Sequence, residues 1–586
     1  MRKGMWVIVV IGFWVFLVNA SGELFAAVPD IEQASQSSVI GKRVPQGIEK
    51  AMDDVQATFK SRMIKEALDA VESALQGASP KALPLVPDNN GVSFFVRKVQ
   101  VKDSQLLTET SLAPLLEPFE GHQQTIRAMQ GLADMITAEY RKRGYLSSQA
   151  YIAPQEIADG VFTVSVLEGR IGRVIFEGNK HYSTEVLSRY CVIHEGDFFR
   201  YQKLQESVFK LNAHPDRVVR AIIRRGSALG QTDIIFKVDE NKLLASNLLM
   251  DNRGSKPVGQ HRGGLGLRRD NLFGQDDTLR MGTMIGKAFS SGFVEHALPI
   301  QALGSVWKTG VSMAKSAPRK QYKPYRVSST SMDYWGRLET RFITTESLAL
   351  DWRTGMDIKE SRTMVLSGTD SRERLRVIRF GPTLTLRDDG GMTVIDDQFS
   401  LGLNAMGAVL SSGSSQRAGV TPAFFASDFS LERLQRMPLK TRLSLKGRSH
   451  LSGDKQPASE QMLLGGADTV RGYPEGDYFA DQGVLMNAEY LVPFFFIPDA
   501  WKMPGTKNRM RDALDFAFFY DHGLGWVKSP VNGQKASTSL RGTGVGVRVR
   551  MAADVYFTMD LAYAIGAKPD LSDNHFRIHS AIQANF

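Results

Sequence analysis

Leu463-Leu464-Gly465-Gly466-Ala467-Asp468-Thr469-Val470-Arg471-Gly472-Tyr473 is the stretch on which the reading of this chain turns. An acidic, Gly-punctuated run follows to Asp481, and then Asn487-Ala488-Glu489-Tyr490-Leu491-Val492-Pro493. Paired glycines permit tight backbone turns where bulkier residues would clash. Between such turns stands one arginine, beside a tyrosine. Its planar guanidinium can hold a carboxylate through two parallel bonds, so a loop of this kind can be pinned at a distance. Spacing alone fits a polar surface loop with an incidental arginine equally well.

Downstream, Phe519-Tyr520-Asp521-His522-Gly523 supplies a carboxylate in a short alternating segment. Together, in this order, the two stretches resemble the Val-Arg-Gly-Tyr loop and the wall motif of two-partner secretion transporters. These TpsB-type proteins form a branch of the outer-membrane superfamily that includes BamA. The resemblance implies that Val470, Arg471, Gly472 and Tyr473 fold back into a barrel of about sixteen strands. It also implies that Arg471 meets Asp521 on the inner wall, flanked by Phe519 and Gly523. Another partner for Arg471 stays open at this point.

The amino terminus agrees with export. Arg2 and Lys3 precede an apolar run from Met5 to Val18, and Val18-Asn19-Ala20 resembles a cleavage site, so residues 1–20 read as a secretory signal peptide. An anchoring helix is the competing reading, for which the run is short. No later segment reaches the roughly 18 uninterrupted apolar residues of a spanning helix, which leaves any crossing to strands. In residues 21–92, Ile48, Met52, Val55 and Phe59 recur at helical spacing, as do Ile64, Leu68, Val71 and Leu75. Gly77-Ala78-Ser79-Pro80 ends this amphipathic helix and a Pro-rich linker follows. Such a helix docks on a neighbour; the resemblance implies that it plugs the pore.

Two similar units come next, at 93–169 and 170–241. The first predicts a strand at Phe94–Val101, helices near Leu112–Leu116 and Thr125–Arg143, then strands at Ala150–Ile152 and Val161–Glu168. The second repeats the order with Ile171–Phe176, a helix after Ser183, another over Tyr201–Asn212, and strands at Arg217–Ile223 and Asp233–Asp239. Each copy spans about 70 residues, enough for one small core. Alternation is clear in Phe162, Val164, Val166 and in Ile234, Phe236, Val238. Tyr140-Arg141-Lys142-Arg143-Gly144-Tyr145, Leu167-Glu168-Gly169-Arg170-Ile171 and Leu211-Asn212 before Pro215-Asp216 resemble tandem POTRA domains. An antiparallel sheet with an open edge can accept an unfolded client as an added strand. A scaffold for barrel assembly is the alternative.

From residue 242 to 586 the texture is glycine-rich, with short alternating runs. Leu439-Lys440-Thr441-Arg442-Leu443-Ser444-Leu445-Lys446 and Gly544-Val545-Gly546-Val547-Arg548-Val549-Arg550-Met551 alternate apolar and basic residues. In a membrane barrel one face of such a strand meets lipid and the other a polar lumen. A basic residue on the lipid face costs roughly 2–4 kcal/mol at midplane, so Lys440, Arg442, Lys446, Arg548 and Arg550 are expected to point inward. A soluble sandwich would alternate too, but the ending argues for a barrel. Phe576, Ile578, Ile582, Ala584 and Phe586 share one face of the last strand, and the resemblance implies that Phe586 is a signal to the barrel assembly machinery. Met250-Asp251-Asn252-Arg253-Gly254 and Asp270-Asn271-Leu272-Phe273-Gly274 resemble the family's opening strands.

Composition adds exclusions. A single cysteine, Cys191, rules out an internal disulfide framework. The net charge of +10 could suit nucleic acid, yet no zinc spacing, phosphate loop or RNA-binding signature accompanies it, so no nucleic-acid partner is expected. Gly263-Gly264-Leu265-Gly266 lies in an alternating run and reads as strand packing rather than a cofactor turn. Ten histidines show no ligand spacing, and neither a metal, a cofactor nor an enzymatic activity is expected. The expected fold is a transmembrane antiparallel β-barrel preceded by two α+β POTRA domains and an N-terminal amphipathic helix. The expected function is export of a TpsA-like exoprotein client through the barrel in the outer membrane, with the POTRA domains in the periplasm. A BamA-like assembly or insertion factor is the alternative; a passive porin, lacking periplasmic domains, fits poorly.

Overall fold

The computed structural model describes residues 93–586 apart from 213–215, 301–303, 346, 367–368, 412–418, 499, 504–508, 531–533, 553–554 and 567–573. The expected signal peptide and the helix with Met52, Val55, Phe59 and Leu68 lie outside the described residues. Within them the chain forms two compact units, one of residues 93–244 with 269–278, the other of 245–268 with 279–586.

In the first repeat of the smaller unit, β1 (Ser93–Val96), β2 (Lys98–Lys102) and α1 (Glu109–Leu116) precede β3 (His122–Thr125) and α2 (Ile126–Lys142). Strands β4 (Gln149–Tyr151) and β5 (Val161–Leu167) complete it, in the sheet order β2-β5-β4. Helix α2 buries Met129, Leu132, Ala133, Ile136 and Tyr140, a stripe at three- and four-residue spacing, on the alternate residues Phe162, Val164 and Val166 of β5. Thr125 caps it, its hydroxyl accepting from the Ala128 N–H at 3.2 Å. The single strand expected over Phe94–Val101 is two. The N–H groups of Arg97 and Lys98 both donate to the Gly160 carbonyl, at 2.7 and 3.3 Å, which breaks the ladder between them. Upstream of the break, β1 pairs with β3, a strand absent from the expectation.

The second repeat holds β6 (Arg170–Glu177), α3 (Thr184–Ser188), α4 (Tyr201–Leu211), β7 (Arg217–Arg225) and β8 (Gln231–Glu240), with β8 central between β6 and β7. Ile234, Phe236 and Val238 face α4 in one core. The sole cysteine lies buried in that core, which pushes the Cys191 thiol up to about 12 and keeps it protonated. Arg217 is also fully buried. It binds Asp276 through two bonds of 2.7 and 2.8 Å and stacks 4.7 Å from the Tyr182 ring centroid, while the Tyr182 hydroxyl donates to Asp216.

The larger unit is a barrel. Its strands begin with β9 (Leu244–Asp251), β10 (Arg262–Asp270), β11 (Thr278–Gly286), β12 (Phe289–Ile300) and β13 (Ser305–Ser316). They continue as β14 (Ser328–Thr344), β15 (Leu348–Val365), β16 (Thr369–Asp388), β17 (Gly391–Gly402), the two-residue β18 (Val409–Leu410), β19 (Phe424–Arg436) and β20 (Arg442–Ser452). After an inserted pair, β21 (Met462–Leu464) and β22 (Tyr478–Ala480), come β23 (Gln482–Pro493), β24 (Leu514–Trp526), β25 (Ser537–Ala552), β26 (Val555–Ile565) and β27 (Phe576–Asn585). Sixteen long strands close into one antiparallel ring, with β18 as an extra pairing on β16. Among the described residues no helix is long and apolar enough to cross a membrane; the barrel crosses with strands.

Face assignments follow strand parity. Tyr334, Phe425, Leu445, Leu451 and Tyr520 are exposed on the outer face, as lipid contact requires. Arg442, Lys446 and Arg548 lie on the opposite parity, each beside a carboxylate: Asp515, Glu432 and Asp560 respectively. Arg550 shares the parity of Arg548, next to a register shift between Arg550 and Ala552. Lys440 does not fit the expectation. It lies with Pro438 and Leu439 in the turn before β20, at a positive φ of 59°, so it has no lumen face to occupy. The seam joins Ala581–Asn585 to Asn247–Asp251, and Phe586 extends it by exchanging backbone bonds with Ser246 at 2.8 and 3.1 Å.

Candidate functional site

Between β20 and β23 the chain folds inward instead of ending in a short turn. Leu464, Val470, Tyr473, Tyr478 and Ala480 are buried on Leu485, Leu540 and Ala564 of the barrel wall. The β21–β22 pair gives the insert its own hydrogen-bonded spine. Asp481 staples its base: one carboxylate oxygen accepts from the Gln456 N–H and the Gln461 side-chain amide, both at 3.1 Å, and the other from the Lys528 N–H at 2.7 Å. Wall glycines make room for it. A Cβ at Gly542 would stand 1.9 Å from the Arg471 carbonyl oxygen, and one at Gly523 2.9 Å from the Val470 side chain. Gly472 itself has φ +97°, where a side chain is strained, and a Cβ there would meet the Ala564 nitrogen at 2.7 Å.

Arg471 sits at the tip of this insert. Its Nε and Nη2 donate to the two oxygens of Asp521 at 2.8 and 2.9 Å, and its backbone N–H reaches the same carboxylate at 3.0 Å. Its third nitrogen, Nη1, donates to Glu489 at 2.6 Å, with Asp560 at 3.6 Å. The guanidinium lies 3.5 Å from the centroid of the Phe519 ring, a stacked cation–π geometry. Asn487 satisfies the remaining Asp521 demand at 2.8 Å and holds the Thr469 carbonyl at 2.6 Å. Arg548 closes the network by donating to Glu489 at 2.9 Å and to Asp560 at 2.6 Å. Three carboxylates thus face two guanidinium groups, with Asp521 wholly buried. This arrangement can hold a peptide segment across a polar lumen; it positions no nucleophile.

The structure therefore brings together Val470, Arg471, Gly472 and Tyr473 of the loop with Phe519, Asp521 and Gly523 of β24. Phe586 lies apart, at the seam. Sequence reasoning missed four members of the network as site residues: Asn487 and Glu489 on β23, Arg548 on β25 and Asp560 on β26. A signal existed, since charged residues at inward parity in a lipid-facing barrel imply partners in the lumen. Which strands adjoin, and at what register, was needed to name them.

Comparison with known proteins bears on the whole chain. Residues 230–549 match the family described as haemolysin secretion/activation protein ShlB/FhaC/HecB. Residues 94–169 match the POTRA domain, ShlB-type, and 169–241 the POTRA family described as surface antigen variable number repeat. The heme/hemopexin transporter protein HuxB of Haemophilus influenzae is 22% identical over 507 residues, 83% of this chain and 86% of that protein. The outer membrane transporter CdiB of Dickeya dadantii is 23% identical over 532 residues, 87% and 90% of the two chains. Among solved structures, CdiB from Escherichia coli aligns with a TM-score of 0.63 at 18% identity, covering 90% of this chain and 98% of that one. BamA from Haemophilus ducreyi lacking POTRA domains 1–3 aligns at 0.53 and 13% identity, covering 84% and 100%. These two likenesses speak to the fold alone. With the match extending over more than half its length and the POTRA pair in front, the chain belongs to the ShlB/FhaC/HecB family of outer-membrane transporters, which carry exoproteins in two-partner secretion with their POTRA domains in the periplasm.

Proposed function

We propose that Arg471, clamped on Asp521 with Glu489 and Asp560 around it, holds the 453–481 loop in the position from which this transporter works. The observation that carries the reading is the double use of one buried carboxylate, which takes both the side chain and the backbone N–H of Arg471. Val470 and Tyr473 pack the loop on either side of that point, and Gly472 lets it turn against the wall.

The client is a TpsA-like exoprotein, unfolded in the periplasm. It adds a strand to a POTRA edge such as β7, whose Arg220, Arg224 and Arg225 favour a segment with acidic residues. From there it displaces the helix carrying Met52, Val55, Phe59 and Leu68, threads the lumen and folds outside. No catalytic residue, metal or cofactor enters this scheme, and folding of the client supplies the drive. The working domain limits are a signal peptide at 1–20, the plug and linker at 21–92, POTRA domains at 93–169 and 170–241, and the barrel from 242. Phe586 is the handle for the barrel assembly machinery.

Arg471→Ala and Asp521→Ala test the clamp. Each is expected to lower surface delivery of the client and the heat resistance of the folded barrel. Unchanged secretion and unchanged heat resistance in both variants would refute it.

A further inference from the structure

The loop is gripped a second time, on another flank of the barrel. Glu460, which precedes β21, is nearly buried and accepts from Lys359 Nζ on β15 at 2.6 Å and from Arg379 Nη2 on β16 at 2.9 Å. Two residues earlier the Ala458 N–H donates to Glu373, also on β16, at 3.1 Å. Counted around the ring from β9, β15 and β16 are the seventh and eighth long strands. The strands that hold Arg471 are the twelfth, thirteenth and fifteenth. These two fastenings of the loop lie at well-separated sectors of the wall, and Arg253, just after β9, adds a longer contact to Asp468 at 3.4 Å.

The two fastenings are unequal in what they leave behind. If Arg471 withdrew, Asp521 would stay buried with Asn487 as its one remaining side-chain donor. An uncompensated buried charge of this kind is strongly unfavourable. If Glu460 withdrew, Arg379 would keep Asp357 through Nε at 2.6 Å and the Ser400 hydroxyl through Nη1 at 2.6 Å. Asp357 in turn is shared with Arg337 at 3.2 Å. Lys359 would face the lumen, where its ammonium can be hydrated. Arg379 and Asp357 thus keep partners on β14 to β17 without Glu460, so release there carries the smaller penalty.

We propose that Glu460, with Lys359 and Arg379, is the releasable latch of the loop, and that transport opens the lumen at this end while Arg471 stays fixed as the hinge. The proposal rests on the reading of Arg471 as the loop's clamp. It gives Lys359 and Glu460 a positioning role in transport that differs from that of the Arg471 network.

Planar-bilayer recordings of the purified full-length protein in potassium chloride test it, with folding checked by heat-modifiable gel migration. Glu460→Gln keeps the shape and removes the charge; Lys359→Met removes one partner. We expect both folded variants to spend more time at high conductance, by about tenfold for Glu460→Gln and less for Lys359→Met. A third protein, Lys359→Cys with Glu460→Cys, is bridged by a reducible bifunctional thiol reagent; native Cys191 is buried and does not compete. Bridging is expected to suppress the large openings and reductant to restore them. Conductance like that of the parent in Glu460→Gln and Lys359→Met, or large openings that persist in the bridged protein, would overturn the latch. Should Glu460→Gln fail to fold, Lys359→Met and the bridged pair decide. Arg471→Ala recorded alongside separates the two ideas: if it leaves the barrel's behaviour unchanged, the clamp has failed, whatever Glu460 does.

Discussion

Asp521 has no contact with solvent, and its charge is tolerable only because Arg471 and Asn487 surround it. Removing one partner of such a buried pair costs about 3–5 kcal/mol, more than the loss of an exposed pair by several-fold. Asp521→Ala is therefore expected to lower the temperature at which the barrel shifts on a heat-modifiability gel. Arg471→Lys is expected to behave nearly as badly as Arg471→Ala, because an ammonium cannot span two carboxylate oxygens and stack on Phe519 together. Reversing the pair, with Arg471→Asp and Asp521→Arg, is not expected to rescue: the new carboxylate would stand among Glu489 and Asp560. Gly542→Ala tests the same point sterically, since its Cβ would collide with the Arg471 carbonyl oxygen at 1.9 Å. It is expected to lower both heat resistance and secretion without touching any charge. The loop and its wall aspartate were legible in the sequence because each is a compact motif. Asn487, Glu489, Arg548 and Asp560 were not, because they come from three strands and only register makes them neighbours.

At the level of elements, the second repeat was read closely, although β8, central in its sheet, buries Thr232 to Phe236 without a break and alternates only from there to Asp239. The first was read less well, because the Gly160 carbonyl that splits β1 from β2 comes from a turn more than sixty residues away in the chain. No local pattern announces such a break. The turn before β20 misled in a similar way: Lys440 continues an alternating run in sequence, but Pro438 starts a tight turn and takes Lys440 out of the strand. The second repeat also carries a pH-sensitive joint. Glu240, at the end of β8, loses some stability as a charge through burial, yet His181 and the N–H groups of His181, Lys180 and Tyr182 together hold its carboxyl below the usual range. A carboxylate held low contributes stability that is complete above its unfolded value, about 4.3, and is lost as pH falls through the lower folded value. Amide exchange at 180–182 in the full-length protein is the measurement. At neutral pH the parent is expected to be better protected than Glu240→Gln, and the difference to shrink as pH falls below about 4.3 and to vanish once the lower folded value is passed. A gap that stays constant with pH would mean that the carboxylate charge is not what holds the joint.

For the whole molecule, the barrel closes through a short ladder, five paired residues between β27 and β9 with Phe586 adding its own backbone bonds to Ser246. Every other neighbouring pair of long strands among β12 to β17 and β19 to β27 with a described register is longer, so the ring depends on the last residues of the chain. The transporter and the assembly factor share this architecture, and a conductance record cannot tell them apart, because either barrel can pass ions. What differs is whose fate depends on the protein. A strain lacking the gene, compared with its parent by quantitative proteomics of supernatant, cell surface and outer membrane, is expected to lose a large exoprotein while other barrels keep their levels. On the proposal that Arg471 holds the loop for transport, reintroducing the gene with Arg471→Ala should restore the barrel to the membrane and leave the exoprotein depleted. If outer-membrane barrels fell together instead, the protein would be serving them, and the polar network around Arg471 would have to be understood as a device for folding strands rather than for passing a client.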